Sequence, residues 1–341
     1  MKKISENLKC AIMLILICII TANSSIAKAG AINGIDLCIK IIIPSLLPIL
    51  ILTSALSKSY CRVIINRLFS KITVNLFHLP KEAAAPIIFG LIGGYPTGAI
   101  LTKDAYDTGL LTEKDAKRIM HFNICPGLAF TVNAVGSLYN DNGKTGIIIY
   151  LIILTSSLLI GITEGLINKK HENPIQYIKC KNIGEAFSES VNETKNNLLI
   201  MSCYIILFSA VANLFDISDL FNPFLEITNG LFSPQKRLPF SYICFFLGFG
   251  GFCIHFQIMG ILKDLNIKYY EILISRIIGA LLCYFPGKAY TLLNNQSIEV
   301  FSNISYAIPK ENDFGKGLSI LFLFGSIIII YDIKNKKSKL L

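Results

Sequence analysis

Hydrophobic residues gather in long runs along this chain, and polar residues are largely confined to the stretches between them. A helical run of roughly 20 apolar residues is long enough to cross the hydrocarbon core of a membrane. Most of the runs are near that length, although several are shorter. The pattern predicts eight or nine membrane segments, at residues 10–22, 37–56, 83–101, 119–135, 146–167, 198–214, 239–261, 272–285 and 318–331.

The overall composition suits lipid better than water. Of the 341 residues, 53% are apolar and only 16% are charged, whereas about a quarter of the residues of a soluble domain are charged. In lipid the backbone groups must find their hydrogen bonds within the protein, as a helix provides. The predicted fold class is therefore an all-α polytopic protein, integral to the lipid bilayer of the cell membrane.

The net charge of +10 comes from Lys and Arg residues that lie in short connecting stretches rather than along one face. This distribution is typical of topology determinants and argues against a nucleic-acid partner. Lys2, Lys3 and Lys9 place the N-terminus in the cytoplasm. Because the chain continues into further membrane segments, a retained signal anchor within residues 1–30 is favoured. A cleaved signal that ends near residues 27–29 is the alternative.

The segment at 83–101 has a composition that disfavours a continuous helix. Residues 89–99 contain four glycines and a proline, which are the poorest helix formers. The connections on both sides, near Lys81 and Lys103, are basic and should both be cytoplasmic. A re-entrant hairpin explains both facts, and its freed backbone groups must be buried in protein or line a polar cavity. The residues of its predicted tip are Gly93, Gly94, Tyr95 and Pro96.

A weak internal repeat predicts a second re-entrant hairpin, with a break at its tip, at 239–261. Residues 92–95 are echoed at 249–252, where Gly250-Gly251 matches Gly93-Gly94, and Arg118-Ile119 is echoed as Arg276-Ile277. An odd number of crossings per half would invert the repeats, as is common in secondary transporters. The lysines of the basic tail conflict with a perfect inversion. The predicted organisation is a first segment at 1–30, repeats at 31–170 and 185–332, and a tail at 333–341.

Side chains that carry catalysis do not form a familiar motif. The chain has no G-x-S-x-G elbow, H-E-x-x-H helix or G-x-x-x-x-G-K-[ST] phosphate loop. Its ten cysteines are scattered, with no C-x-x-C pair, so they are interpreted as buried hydrophobes. The sequence therefore predicts a protein that is not an enzyme and has no metal site or cofactor.

Polar side chains inside apolar segments are costly in lipid and usually face a bundle interior or a cavity. His121, Asn123 and Pro126 follow the first break, and His255 and Gln257 follow the second. Hydrogen bonds between helices are the simpler interpretation of each residue alone. Their position beside two breaks favours a binding site, because half-helix N-termini present free N–H groups to polar or anionic solutes. The candidate binding residues are Gly93, Gly94, Tyr95, Pro96, Asn123, Gly250, Gly251, His255 and Gln257.

Five short strings of the sequence together resemble the YlbJ-type sporulation integral membrane proteins. This family is part of the wider group with nucleoside-recognition, or Gate, domains. The resemblance covers about residues 32–280, and Gly-Tyr-Pro-x-Gly-Ala is its most specific element. The family usually has Ser-Gly-Tyr-Pro where this chain has Gly93-Gly94-Tyr95-Pro96. The strings lie at 41–48, 93–99, 111–118, 123–126 and 248–251.

The resemblance implies two Gate-like repeats and a role in endospore formation, with passage of dipicolinate or a similar small anion across the forespore envelope. It also implies a location in the outer forespore membrane. The predicted function is a transporter or permease for a small polar or anionic solute. A non-transporting scaffold for spore assembly and a nucleoside-type permease are the alternatives. A homo-oligomer is compatible with the sequence.

Overall fold

The structure, a computed structural model, describes residues 2–139, 143–168, 180–217, 220–232 and 238–293. Within these ranges all regular elements are helical, which confirms the all-α prediction. The α-helices are α1 (Lys2–Ala22), α2 (Ser24–Leu37), α3 (Ile43–Lys58), α4 (Cys61–Leu76), α5 (Ala84–Gly93), α6 (Thr97–Asp107), α7 (Glu113–Phe122), α8 (Lys144–Ile167), α9 (Ile183–Leu214), α10 (Asn222–Leu225), α11 (Ile227–Leu231), α12 (Phe240–Phe249), α13 (Gly251–Ile261) and α14 (Tyr269–Leu293).

Among the described residues, five helical stretches are long and apolar enough to cross a membrane. They confirm a membrane protein, but they do not confirm the count of eight or nine segments. The apolar helix Cys10–Ala22 is shorter, and the predicted segment at 318–331 and the tail at 333–341 lie outside the described residues. The five stretches are Ser24–Lys58, Lys144–Ile167, Ile183–Leu214, Phe240–Ile261 and Tyr269–Leu293.

The predicted crossing at 119–135 is wrong as a single helix. Helix α7 ends at Phe122, and a π-helical turn begins only at Phe130. Pro126 lies in the irregular stretch between them, where a residue without an N–H group cannot support an α-helical ladder. Residues 123–127 therefore form a break inside the bundle rather than part of a transmembrane helix.

The longest stretch, Ser24–Lys58, joins α2 and α3 through a π-helical turn at Cys38–Ile42. It packs against α9 along most of its length. A Cβ atom on Gly30 would lie 2.7 Å from the carbonyl oxygen of Ser209. The small residue therefore lets the two backbones approach closely, as in other membrane helix pairs.

Helices α5 and α6 form the predicted hairpin. They are joined by residues 94–96, and they pack against each other where Gly90 meets Gly98. The chain therefore reverses direction at the tip, where Gly94 has a φ of +80°. The structure thus places two half-helices where the glycines and proline predicted a re-entrant element.

The second break separates α12 from α13 at Gly250, whose φ is +92°. Helix α12 packs against α14, whereas α13 packs against α6, α9 and α10. Lys103 Nζ at the end of the first hairpin lies 3.5 Å from an Asp264 carboxylate oxygen. The chain thus breaks at Gly250, but α12 and α13 do not pack against each other as α5 and α6 do. Phe240–Ile261 forms one stretch long enough to cross a membrane, so the predicted second hairpin is not found and the internal repeat is not confirmed.

The first prediction concerns membrane topology. Single cysteines placed at Lys71 and at Lys114, which are both exposed, should react with an impermeant thiol reagent from the same side of the membrane. The hairpin between them returns the chain to the side from which it came. The ten native cysteines are first replaced by Ala. They include the nearest ones, Cys61 and Cys125, and the exposed ones, Cys10, Cys18 and Cys203.

A matched pair of positions calibrates this experiment. Cysteines at Lys144 and Ile167, at opposite ends of α8, should react from opposite sides because α8 is long enough to cross the bilayer. Opposite labelling of the positions 71 and 114 would mean that α5 and α6 together make a crossing, and would contradict the re-entrant interpretation.

Candidate functional site

The tip of the first hairpin is docked on the break at residues 123–127. The Tyr95 amide donates a hydrogen bond to the Cys125 carbonyl over 2.7 Å. The Asn123 side-chain amide donates to the Pro86 carbonyl at 3.0 Å and contacts Thr102 Oγ1 at 3.4 Å. Asn123 is fully buried. This predicted site residue therefore fastens both arms of the hairpin to the break.

Glycines allow this docking because main-chain atoms lie where side chains would be. A Cβ atom on Gly94 would be 2.0 Å from the Gly127 nitrogen, and one on Gly98 would be 1.9 Å from the Asn123 carbonyl oxygen. The space beside Gly93 is occupied by Thr97. The protein's own backbone and side chains thus fill the space that the sequence assigned to an approaching solute.

Arg276 of α14 also holds this break, through main-chain carbonyls. Its two terminal nitrogens donate to the carbonyls of His121 and Ile124. These carbonyls follow or end α7, where the helix leaves acceptors unsatisfied and carries negative partial charge. Arg276 is 3% exposed. A long-range contact from α14 therefore stabilises the irregular main chain that receives the hairpin.

Arg118, which the repeat pairs with Arg276, has the same chemistry. It donates to the carbonyls of Phe77 at 2.6 Å and His78 at 2.9 Å, just after α4. Both arginines thus bind main-chain oxygens beyond the end of a helix. The carbonyls that each holds belong to the first half of the chain, so this similarity does not confirm an internal repeat.

The second break is held by His255. Its Nε2 lies 3.0 Å from the Phe249 carbonyl oxygen, and its Nδ1 lies 3.2 Å from the Tyr269 hydroxyl. A carbonyl can only accept, so Nε2 carries the hydrogen atom in that bond. The predicted site residue His255 therefore binds the last carbonyl of α12, and Gly250 and Gly251 beside it both have positive φ.

One cavity lies between the tip of the first hairpin, at residues 94–96, and the second break, at Gly250. Its lining is mostly apolar, and the volume open to the centre of a water molecule is about 20 Å³, enough for about one water. Tyr95 comes from the hairpin tip, and Gln257 comes from α13, which follows the second break. Its polar side chains are Tyr95, Glu226, Thr228 and Gln257, and its apolar ones include Ile42, Leu46, Phe130, Met201, Ile205 and Ile254.

Glu226 is the acidic side chain of this cavity and is only 1% exposed. It caps the short helix α11, where its carboxylate accepts hydrogen bonds from the Thr228 amide at 3.0 Å and from the Asn229 amide. Burial raises the pKa of the Glu226 carboxyl, and the bonds from the Asn229 and Thr228 amides lower it. The net shift is upward, so burial outweighs the capping bonds.

The sequence did not single out Glu226, although it contains a signal. Glu226 is the only charged residue in 220–235, a largely apolar stretch. The stretch is too short and too interrupted to indicate a membrane span. The sequence alone therefore does not mark Glu226 as a charged residue within the membrane. Arg276 was noted only as an echo of Arg118, because its partners lie more than 150 residues away.

The structure brings together only part of the predicted site. Tyr95 and Gln257 line the cavity, whereas Asn123 and His255 hold the breaks around it. Within the described ranges there is no group of three or more His, Cys, Asp or Glu side chains that could hold a metal ion. The others, Gly93, Gly94, Pro96, Gly250 and Gly251, shape the main chain at the breaks.

Comparison with known proteins supports the resemblance seen in the motifs. The chain is 23% identical over 332 aligned residues to the sporulation integral membrane protein YlbJ of Bacillus subtilis strain 168, with 82% of this chain and 81% of that protein covered. This chain is a relative of YlbJ. The similarity to YlbJ extends over most of both proteins, so the YlbJ-type relationship is confirmed. No protein-family model and no solved structure matches the chain.

Proposed function

We propose that this protein is a membrane transporter for a small polar or anionic solute and that it acts in spore formation. The observation that carries the proposal is the convergence of two broken helices on one cavity within the membrane bundle. Broken helices at a central site are the usual architecture of secondary transporters. The name of the relative YlbJ supports the sporulation context, and dipicolinate is the proposed solute.

The cavity geometry indicates which part must move. Room for about one water is far too little for a ring with two carboxylates, so this conformation is a closed one. The α5–α6 hairpin covers the cavity through Tyr95, and its tip is docked on residues 123–127 by the Tyr95–Cys125 hydrogen bond and by close contacts of Gly94. Movement of this hairpin away from residues 123–127 would open the site to one side of the membrane.

A membrane scaffold for spore assembly is the second candidate. Gly94 and Gly98 are in contact with the main chain of residues 123 and 127, which is the close packing that a purely structural role for the glycines requires. Such a protein would need its glycines to fold and would move no solute. Transport measured on purified protein separates the two functions.

The second prediction tests transport and the cavity together. Proteoliposomes that contain the protein should take up dipicolinate faster than empty vesicles, and Gln257→Ala should lower the initial rate about 5- to 150-fold. That range corresponds to the roughly 1 to 3 kcal/mol of a lost buried polar contact. Uridine is measured in parallel, because its uptake in place of dipicolinate would favour the nucleoside permease.

Asn192→Ala is the matched control for this experiment. It also removes a carboxamide, but Asn192 is exposed on α9 and bonds only within its own helix, to the Ser188 carbonyl. It should leave uptake at the parental rate. If neither dipicolinate nor uridine enters wild-type vesicles that contain folded protein, the scaffold is the better function.

A further inference from the structure

Glu226 is a buried acidic residue in the cavity of the proposed transporter, and the proposed function assigns it no role. Its carboxylate is buried in the cavity between the two breaks, opposite the tip of the first hairpin. Its capping bonds come from main-chain amides of its own helix. Among the residues that the structure describes, none of those lining the cavity is Lys, Arg or His. The negative charge is thus supported by the main-chain amides of Thr228 and Asn229 and by the Thr228 side chain, without a cation.

The other titratable side chains around Glu226 are a tyrosine and two cysteines, which carry no positive charge in either protonation state. They come from three different elements: Tyr95 from the hairpin tip, Cys38 from the π-helical turn between α2 and α3, and Cys253 from α13. The Tyr95 hydroxyl is buried and has no hydrogen-bond partner among the described residues. No nearby cation on these elements holds Glu226 in its ionised form.

These surroundings balance the two protonation states of Glu226. An ionised carboxylate in an apolar cavity is costly, and this cost favours the acid form. The N–H groups at the start of α11 favour the ionised form. Since a protonated carboxyl keeps one carbonyl oxygen as acceptor, Glu226 can gain a proton and still cap the helix.

An anionic solute in the same cavity shifts this balance. Two negative charges within a few ångströms repel strongly in an environment of low dielectric constant. A proton on Glu226 removes that repulsion and turns the carboxyl into a hydrogen-bond donor. The hydroxyl of Tyr95 offers a second donor on the other side of the cavity.

We propose that Glu226 takes up one proton when the solute binds and releases it when the solute leaves, so that one proton accompanies each solute molecule. The proton comes from water on the side to which the cavity opens and returns to water on the opposite side. This coupling rests on the proposed transport function. It adds Glu226 as the group that carries the proton, and the pH difference across the membrane as a driving force.

The test compares Glu226→Gln with the wild-type protein in proteoliposomes, with dipicolinate as the probe. For the wild type, an outside medium more acidic than the lumen should raise the steady accumulation ratio about tenfold per unit of pH difference, because each unit is worth about 1.4 kcal/mol per proton. Glu226→Gln should still exchange dipicolinate across the membrane but should lose accumulation driven by the pH difference. The amide retains a capping oxygen, and membrane abundance verifies the fold.

Asp107→Asn is the control. It also removes one carboxylate, but Asp107 is half-exposed at the end of α6, paired with Lys103, and should accumulate dipicolinate as the wild type does. If wild-type uptake ignores the pH difference, or if Glu226→Gln responds to it fully, the coupling is wrong while transport stands. If wild-type vesicles take up no dipicolinate, the transport function fails for this solute.

A measurement without solute keeps the coupling testable in that last case. Infrared difference spectra of the purified protein between neutral and mildly acidic medium should show the carbonyl band of a buried carboxylic acid. That band should be missing in Glu226→Gln and present in Asp107→Asn. An unchanged band in Glu226→Gln would show that another group titrates, and would overturn the role of Glu226.

Discussion

Gly98→Ala is expected to remove most of the folded protein from the membrane. The added methyl carbon would lie 1.9 Å from the Asn123 carbonyl oxygen, a main-chain atom that is held in place by the break and cannot rotate away. The hairpin must then separate from residues 123–127, at a cost of about 2 to 4 kcal/mol. Membrane abundance and the thermal unfolding midpoint of the purified protein measure the loss.

Gly94→Ala should act in the same direction, because its φ of +80° is strained for any residue with a side chain. Gly260→Ala is the control, since a Cβ atom there would have Tyr204 Oη at 3.8 Å as its nearest neighbour. If Gly98→Ala accumulates and unfolds like the parent, the docking of the hairpin on the break is not as described. If it accumulates normally and transport alone is lost, the glycine serves the solute.

Arg276→Met is expected to destabilise the protein by about 2 to 5 kcal/mol. The substitution keeps an apolar stem of similar length but leaves the carbonyls of His121 and Ile124 without their donors. Each unsatisfied buried acceptor costs roughly 1 to 3 kcal/mol. The thermal unfolding midpoint should fall, and protease should gain access to the stretch around residues 123–127.

Arg67→Met, at an exposed position on α4, controls for the loss of a positive charge. Arg276→Lys should recover part of the stability, because one ammonium group can reach one of the two carbonyls but cannot form the planar fork. A parental midpoint in Arg276→Met would show that the break is held without Arg276, and the clamp would have to be abandoned.

Gly98→Ala and Arg276→Met both test how the break at residues 123–127 is held in place. The break at residues 123–127 is held by the hairpin, through Asn123 and the glycines, and by Arg276. The cavity lies where this assembly meets α11 and α13. A shift of the hairpin would therefore change the cavity without disturbing the Arg276 contacts, which is the separation of moving and fixed parts that a carrier needs.

Much of the fold could be predicted from local sequence. Long apolar runs determine helices in lipid, because every backbone group must be satisfied within its own segment. The four glycines and the proline in residues 89–99 determine a break, because they remove helix propensity where it would otherwise be uniform. The positions of the two breaks, and the membrane class itself, follow from such local properties.

The wrong prediction of a single crossing at 119–135 arose because hydropathy does not distinguish lipid from protein as surroundings. Ile119, Met120, Phe122 and Ile124 are fully buried by other helices, and their apolar character reflects that burial. A run of such residues looks like a membrane span in the sequence, although the chain is irregular directly after Phe122. Only the packing of the bundle shows which environment each run occupies.

The candidate site depended on tertiary structure for the same reason. The site depends on contacts between residues far apart in the chain. These contacts decide which atoms fill the space beside Gly94, which carbonyls Arg276 binds and what Glu226 faces. Sequence marks glycine, arginine and glutamate as costly or unusual in lipid. It does not say what offsets the cost, because the compensating partner is brought near only when the helices pack.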